Sequence, residues 1–300
     1  MNFSREEKML LLDLFHLYAP SGKETPVLEF IKSVLTKNGT PFKQDDKGNI
    51  YCINHKGLPL LSAHTDCVGG PESGAYVKLI DIYPYGDSEV LKGVGNIGGD
   101  DKCGVFLILL YILSGRPINA IFSICEEIGG MDGIKHLLPQ IKDDEIFKSI
   151  PYCLVLDRKN PGDIICKRND YGSQKFEDAL YAIGKDYGYE PVLGGCSDMN
   201  TIKEYMNGCN LSTAYYNPHS TTEWVDLDEL HNTWEYVQDL IDNMPRDIPL
   251  EKPEPPKWSG STWNGSNYSG YGNSIYADYG KSSPYTTPGY SWRDHEDWEY

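Results

Sequence analysis

The sequence predicts an α/β fold: a three-layer sandwich with a mixed, mostly parallel central sheet and helices on both faces. Three observations carry this expectation. Apolar runs of strand length at 58–63, 119–124 and 152–156 are interleaved with longer segments of helical period. These runs are apolar almost throughout, as expected of strands covered on both faces. Each run is followed within two residues by His, Asp or Glu, and open α/β sheets collect ligands beyond the carboxyl ends of their strands.

Taken in order, Ser4 and Glu7 have capping-box spacing and open an amphipathic helix through Tyr18. Ser21 and Glu24 repeat that spacing ahead of a second helix over 27–35, which Gly39 closes. Residues 49–54 and 58–63 read as strands, the second delivering His64. Residues 75–92 read as a hairpin or insertion, followed by a Gly-rich stretch ending at Asp100 and a buried helix over 105–113. The strand at 119–124 delivers Glu126 and Glu127, and that at 152–156 delivers Asp157. Helices are expected at 174–187 and 197–206, a strand at 211–216, and a closing helix at 228–243 with Asp226 or Asp228 near its start. A catalytic domain is thus expected over 1–247, and a Pro-rich linker and tail over 248–300. From 258 on, the chain holds Gly, Ser and Asn with seven Tyr and four Trp, and few aliphatic side chains to bury. It reads as disordered, with aromatics available for self-association or a protein partner.

Charge excludes whole classes of partner. With net charge −17 and pI near 4.8, the chain would repel the phosphates of nucleic acid and of anionic membrane surfaces. No apolar run of membrane-spanning length appears, and the charged first residues lack the apolar core of a secretory signal, so a soluble, cytoplasmic protein is expected. The eight cysteines are scattered, without Cys-x-x-Cys spacing, and are expected as free thiols.

Five segments carry metal-ligating side chains. His64 ends a buried strand, and Asp66 is placed to accept its other ring N–H, as carboxylates behind zinc-bound histidines do. Asp100, after two glycines that let the backbone approach closely, is suited to bridge two metals about 3.5–4 Å apart through its two oxygens. Glu126 and Glu127 would repel each other if both were buried and ionised; beside a dication one ligates and the other takes a proton from water. Asp157 and His219 complete the set. Any one of these has a bland reading as a surface charge or helix cap. Five of them at or near strand ends of one sheet do not. Imidazole and carboxylate donors favour zinc, with manganese or cobalt as substitutes.

In order along the chain, Ser-Gly-Lys-Glu24, His64-Thr-Asp66, Gly-Gly-Asp100-Asp101-Lys-x-Gly, Glu126-Glu127-Ile-Gly-Gly, Asp157, Gly-Gly-Cys-Ser-Asp198 and Pro-His219-Ser-x-x-Glu223 resemble the motifs of the dinuclear zinc exopeptidases. That superfamily includes peptidase T, carboxypeptidase G and related aminopeptidases and deacylases. The resemblance spans roughly 15–242. It implies a phosphorylase/hydrolase-like zinc peptidase architecture and two divalent metals. His64, Asp100 and Asp157 would hold one, and Asp100, Glu127 and His219 the other, with Glu126 as general base and Asp66 orienting His64. Peptidase T and its near relatives insert a lid domain between the Asp157 and His219 equivalents, where only 61 residues stand here, so a lidless catalytic domain is expected.

The function these expectations describe is hydrolysis of a peptide or amide bond by a metal-held water that Glu126 activates. An exopeptidase of aminopeptidase or tripeptidase type is the first reading. A carboxypeptidase or N-acyl amino acid deacylase would use the same site, and Arg158 or Arg168 would suit a substrate carboxylate if either faced the cleft. The reading from another class is a binding or scaffold protein with a vestigial metal site. Decay of that kind removes a ligand or the base, and here none is missing. Cys67, Cys103 and Cys125 adjoin the motifs and read as small core residues; the alternative is a thiol close enough to the metals to make activity oxidant-sensitive.

Overall fold

A computed structural model describes residues 2–69, 78–128 and 130–251. Most of the expected tail at 248–300, and the first part of the expected hairpin at 75–92, lie outside these residues.

Two helices lead. α1 (Arg5–Phe15) carries the Ser4/Glu7 capping box, in which each side chain bonds the other's backbone N–H. α2 (Thr25–Asn38) ends at Gly39, whose left-handed φ of 72° a residue with a side chain adopts only at a cost. Its expected N-terminal capping box is not formed. Glu24 stands at the N-cap without a side-chain cap bond, and the Ser21 hydroxyl donates to Asp66, a buried carboxylate that makes the stronger, charge-assisted partner.

The strands that follow are β1 (Lys43–Gln44), β2 (Ile50–Cys52), β3 (Leu60–His64), β4 (Lys78–Tyr85) and β5 (Ser88–Val94). Then come α3 (Gly99–Leu113), β6 (Asn119–Ser123), α4 (Asp132–Ile141), β7 (Tyr152–Arg158), β8 (Asp163–Ile165) and α5 (Gln174–Gly184). The chain continues through β9 (Glu190–Val192), α6 (Met199–Ile202), β10 (Asn207–Ser212), β11 (Tyr215–Tyr216), β12 (Trp224–Asp226) and α7 (Leu227–Asn243). Eight strands form the main sheet in the order β1-β2-β6-β3-β7-β10-β8-β9, parallel from β6 through β10 and mixed outside that centre. A second, antiparallel sheet runs β11-β12-β5-β4.

Alternation along the central strands builds two cores. Leu61, Ala63, Phe122, Leu154 and Leu156 pack with α1, α2, α3, α5 and α7 on one face. Leu60, Ile121, Cys153 and Val155 pack with α4 and α6 on the other. Each fully buried Leu or Ile contributes about 1.5–3 kcal/mol. The three layers are those the sequence predicts. α3 is buried from Gly99 to Ile112 and lies against β7 so closely that a Cβ on Gly104 would stand 2.2 Å from the Leu156 carbonyl oxygen. That contact brings the N-terminus of α3, with Asp100, over the strand ends.

The segment between Asp157 and His219 contributes β8, α5, β9, α6, β10 and β11, with no separate lid unit. The helix expected at 197–206 is only the four residues of α6, and β8 and β9 have three residues each, too short to register as periodic segments. No helix among the described residues is long and apolar enough to cross a membrane.

Candidate metal centre

β3, β6 and β7 are adjacent and parallel, so their carboxyl ends open at one place. β3 delivers His64 there. The ring Nδ1 lies 2.9 Å from the Asp66 carbonyl oxygen, which can only accept, so Nδ1 carries the proton and Nε2 faces inward. Nε2 lies 3.1 Å from Asp100 Oδ1 and 3.5 Å from Asp157 Oδ1. The expectation that the Asp66 carboxylate takes this ring N–H is therefore corrected: the backbone carbonyl takes it, and the carboxylate stands 3.5 Å from Nδ1. That carboxylate instead accepts the backbone N–H groups of Glu126 and Glu127, at 3.0 and 3.1 Å. Its burial opposes ionisation, but His64, the Ser21 hydroxyl and the Glu126 amide outweigh that and hold it at about 2.

Asp100 faces both ways. Its Oδ1 meets His64, and its Oδ2 lies 3.2 Å from Nε2 of His219, which is itself 2.8 Å from Glu127 Oε1. Two groups of potential ligands result, His64–Asp100–Asp157 and Asp100–Glu127–His219, each with its donor atoms within 4.8 Å of one another. A tetrahedral zinc with bonds of about 2.0–2.1 Å separates its ligands by roughly 3.3 Å, a spacing these contacts match. His219 sits in the turn between β11 and β12, half exposed and at a left-handed φ of 61°. The donor set fits two divalent cations.

Charge points the same way. Asp66, Asp100, Asp101, Asp157, Asp198 and Glu223 are all buried around this point, with Glu126 and Glu127 half-buried beside them. Lys102 is a buried cation among them, its Nζ donating to the Phe15 and Ile97 carbonyls. So many carboxylates are costly to bury together unless cations join them. Burial, and then the charge of Asp100, pushes Asp157 well above the usual carboxylate range. Burial alone would lower the pKa of His64, but Asp157, Asp100 and Asp66 raise it well above the usual imidazole value. Hydrogen bonds to the Asp100 and Glu127 carboxylates push His219 up to about 10.

A consequence can be measured. The surrounding carboxylates favour the protonated form of both imidazoles, and those protons must leave before the ring nitrogens can ligate. Zinc binding is therefore expected to release protons and to tighten as pH rises from 6 to 8. Calorimetry in buffers of different ionisation enthalpy reads this directly; a proton count of zero would contradict the two histidine assignments.

Several supporting residues carried no assigned role in the sequence. Glu223, four residues after His219, accepts the amides of Gly98 (2.7 Å) and Asp100 (3.1 Å) and so ties the His219 turn to the start of α3. Asp101 accepts the His64 amide through Oδ2 and the Gly104 amide through Oδ1. Asp198 accepts the Ser123 hydroxyl at the end of β6. The resemblance places all three inside its motifs without giving any of them a role. Arg158 pairs with Asp163, and Arg168 is exposed on a short 3-10 turn. Cys67 and Cys103 are buried, as small core residues are, and Cys125 is half-buried; burial raises all three thiols, Cys125 to about 11, which disfavours thiolate.

No protein-family model matches the chain. It is 30% identical over 141 residues to a putative [LysW]-lysine/[LysW]-ornithine hydrolase of Pyrococcus abyssi, a match covering 46% of this chain and 38% of that protein. A [LysW]-lysine/[LysW]-ornithine hydrolase of Sulfurisphaera tokodaii is 28% identical over 134 residues, 44% of this chain and 35% of its own length. The chain thus aligns with well under half the length of these curated relatives. Among solved structures, an aminopeptidase from the archaeon Desulfurococcus kamchatkensis superposes with a TM-score of 0.59 at 17% identity, covering 81% of this chain and 96% of that one. The aminopeptidase PepT of Bacillus cereus does so with a TM-score of 0.59 at 16% identity, covering 79% and 98%. In fold the chain resembles these aminopeptidases, and over somewhat less than half its length it is distantly similar in sequence to the [LysW]-lysine/[LysW]-ornithine hydrolases.

Proposed function

We propose that this protein is a co-catalytic dinuclear zinc hydrolase that cleaves a peptide or amide bond, most simply as an exopeptidase of aminopeptidase or tripeptidase type. The observation that carries this reading is Asp100, whose two oxygens face two different histidines and join two complete ligand groups. Two zinc ions held there would supply Lewis acidity, polarising the scissile carbonyl and acidifying water. The rest of the chemistry belongs to the chain. Glu126 lies in neither ligand group, and its amide is fixed by Asp66, so its carboxylate is the one left over. It accepts the proton of the attacking water and returns it to the leaving amine. Asp66 holds His64 through its carbonyl and the 126–127 backbone through its carboxylate. Among the described residues, the segment between Asp157 and His219 adds sheet and helix elements and no separate lid unit over the site, which suits short, flexible substrates.

The direction of attack is part of the proposal. Arg158 is already paired with Asp163, which lessens its availability to a substrate carboxylate and favours the aminopeptidase reading over carboxypeptidase or deacylase action. The likeness to the [LysW]-lysine/[LysW]-ornithine hydrolases keeps hydrolysis of an amide to an amino acid as the specific alternative. The experiment is metal analysis followed by a panel of aminoacyl-anilides, tripeptides and N-acyl amino acids, with and without chelator. Hydrolysis that chelator abolishes and zinc restores is expected. Two bound metals with no turnover of any class would favour the scaffold reading. Zinc at about a thousand times its dissociation constant stabilises the folded chain by about 4 kcal/mol per site, so chelator should lower the melting temperature by several degrees.

A further inference from the structure

The Ser-Gly-Lys-Glu loop at 20–24 found no use as a helix cap. Ser21 turns instead to Asp66 just after β3, and Glu24 to Cys125 just after β6. Ser21 Oγ donates to Asp66 Oδ2 at 2.6 Å. Glu24, 5% exposed, accepts the Gly22 amide at 2.8 Å and the Cys125 amide and thiol at 3.3 Å, all through Oε1. Asp66 in turn accepts the amides of Glu126 and Glu127. Three consecutive amides, at 125, 126 and 127, are thus each held by a carboxylate that the 20–24 loop supplies or touches. The loop is itself anchored, since Cys67 donates its amide to the Ala19 carbonyl and Pro20 bridges to Cys67.

The backbone at this point needs holding. Cys125 has a left-handed φ of 53°, a conformation that strains a residue with a side chain. The next two residues are the pair whose side chains must part, one towards His219 and the other towards the substrate. The ordinary reading of Glu24 is an acid beside the positive end of a helix. Its side chain makes no cap bond to α2, and its Oε1 reaches a residue 101 positions away.

We propose that Ser21 and Glu24 are positioning residues for the metal centre, gripping the backbone at 125–127 so that Glu127 points at the His219 ligand group and Glu126 at the substrate. This rests on the dinuclear reading above. Because Glu127 belongs to one ligand group only, loss of the grip weakens one metal and spares the other. Support of this kind behind a ligand is worth about ten- to a hundredfold in metal affinity.

The test uses the full-length protein and zinc in competition with a chromophoric chelator, which yields two stepwise dissociation constants. Ser21→Ala and Glu24→Ala are expected to weaken one constant at least about tenfold and leave the other within about twofold. Ser21→Thr keeps the hydroxyl and Glu24→Gln keeps an acceptor, and both should restore wild-type values. Amide exchange followed by mass spectrometry in the metal-free protein should speed up in the peptide spanning 121–128 in the alanine variants and nowhere else in the main sheet. If Glu24→Ala does not fold, Ser21→Ala, which removes one hydroxyl, decides alone. Unchanged constants in a protein that binds two zinc ions overturn the positioning role and leave the dinuclear reading standing. Faster exchange without a change in either constant overturns it too, as does an equal loss at both sites. A wild-type protein that binds no zinc removes the dinuclear reading, and this proposal with it.

Discussion

Glu126→Gln is expected to cut kcat by about 10²–10⁴-fold while the protein still binds two metal ions. Glutamine fills the same space and cannot take a proton. Glu126 stands outside both ligand groups, so metal content should hold, and its amide remains available to Asp66. Burial pushes its carboxyl up to about 7 in spite of His64, with Asp198, Glu127 and Asp100 adding to the rise. A base in that range is matched to work near neutrality. Since it must be unprotonated to act, kcat should climb with pH on the acid limb, and that limb should vanish in the variant. Elemental analysis and a pH–rate profile on the best substrate of the panel provide the check. Wild-type turnover in the variant would remove Glu126 from the base role.

Replacing Asp100 should have the broadest effect of any single ligand. Asp100→Ala removes a donor from both groups at once, so the protein is expected to lose both ions and all hydrolysis, whereas His219→Ala and Asp157→Ala should each impair one site. The buried charge makes the sign of the stability effect informative. Without metals, His219 and His64 hold the Asp100 carboxyl well below the usual carboxylate range in spite of burial, so its deletion leaves both imidazoles without a shared charged partner. The metal-free variant should therefore melt below metal-free wild type at neutral pH, and zinc should fail to raise its melting temperature. Stepwise zinc titration and thermal scans read both. A variant that still binds two ions would show that Asp100 does not join them.

The legible part of this protein was the part written in short apolar runs and in side chains at their ends. His64, Asp157 and the Glu126–Glu127 pair follow strands that are continuous apolar stretches, so both the sheet and the position of the ligands could be read together. Asp100 and His219 were legible only by chemistry and order, because the turn between β11 and β12 has no periodicity. What escaped was long-range hydrogen bonding. Ser21 and Glu24 have the spacing of a helix cap, and nothing local reveals that a carboxylate 45 residues away competes for the hydroxyl. The Asp66 carbonyl, rather than its carboxylate, meets His64 because the chain turns back just after β3, a backbone path that side-chain types do not encode. β8 and β9 were lost for lack of length, although both extend the main sheet.

The second sheet gives the metal centre a property that the ligand list does not convey. His64, Asp157 and Glu127 come from strands of the main sheet or the residue run just after one, whereas His219 rides on the turn of the small antiparallel sheet, and Asp100 stands between them at the head of α3. One ligand group is thus mounted entirely on the main sheet and α3, and the other is sewn across the seam between two independently hydrogen-bonded sheets. The two metals need not be equals: the first would be a fixture of the scaffold, and the second a rivet whose retention depends on the seam staying closed.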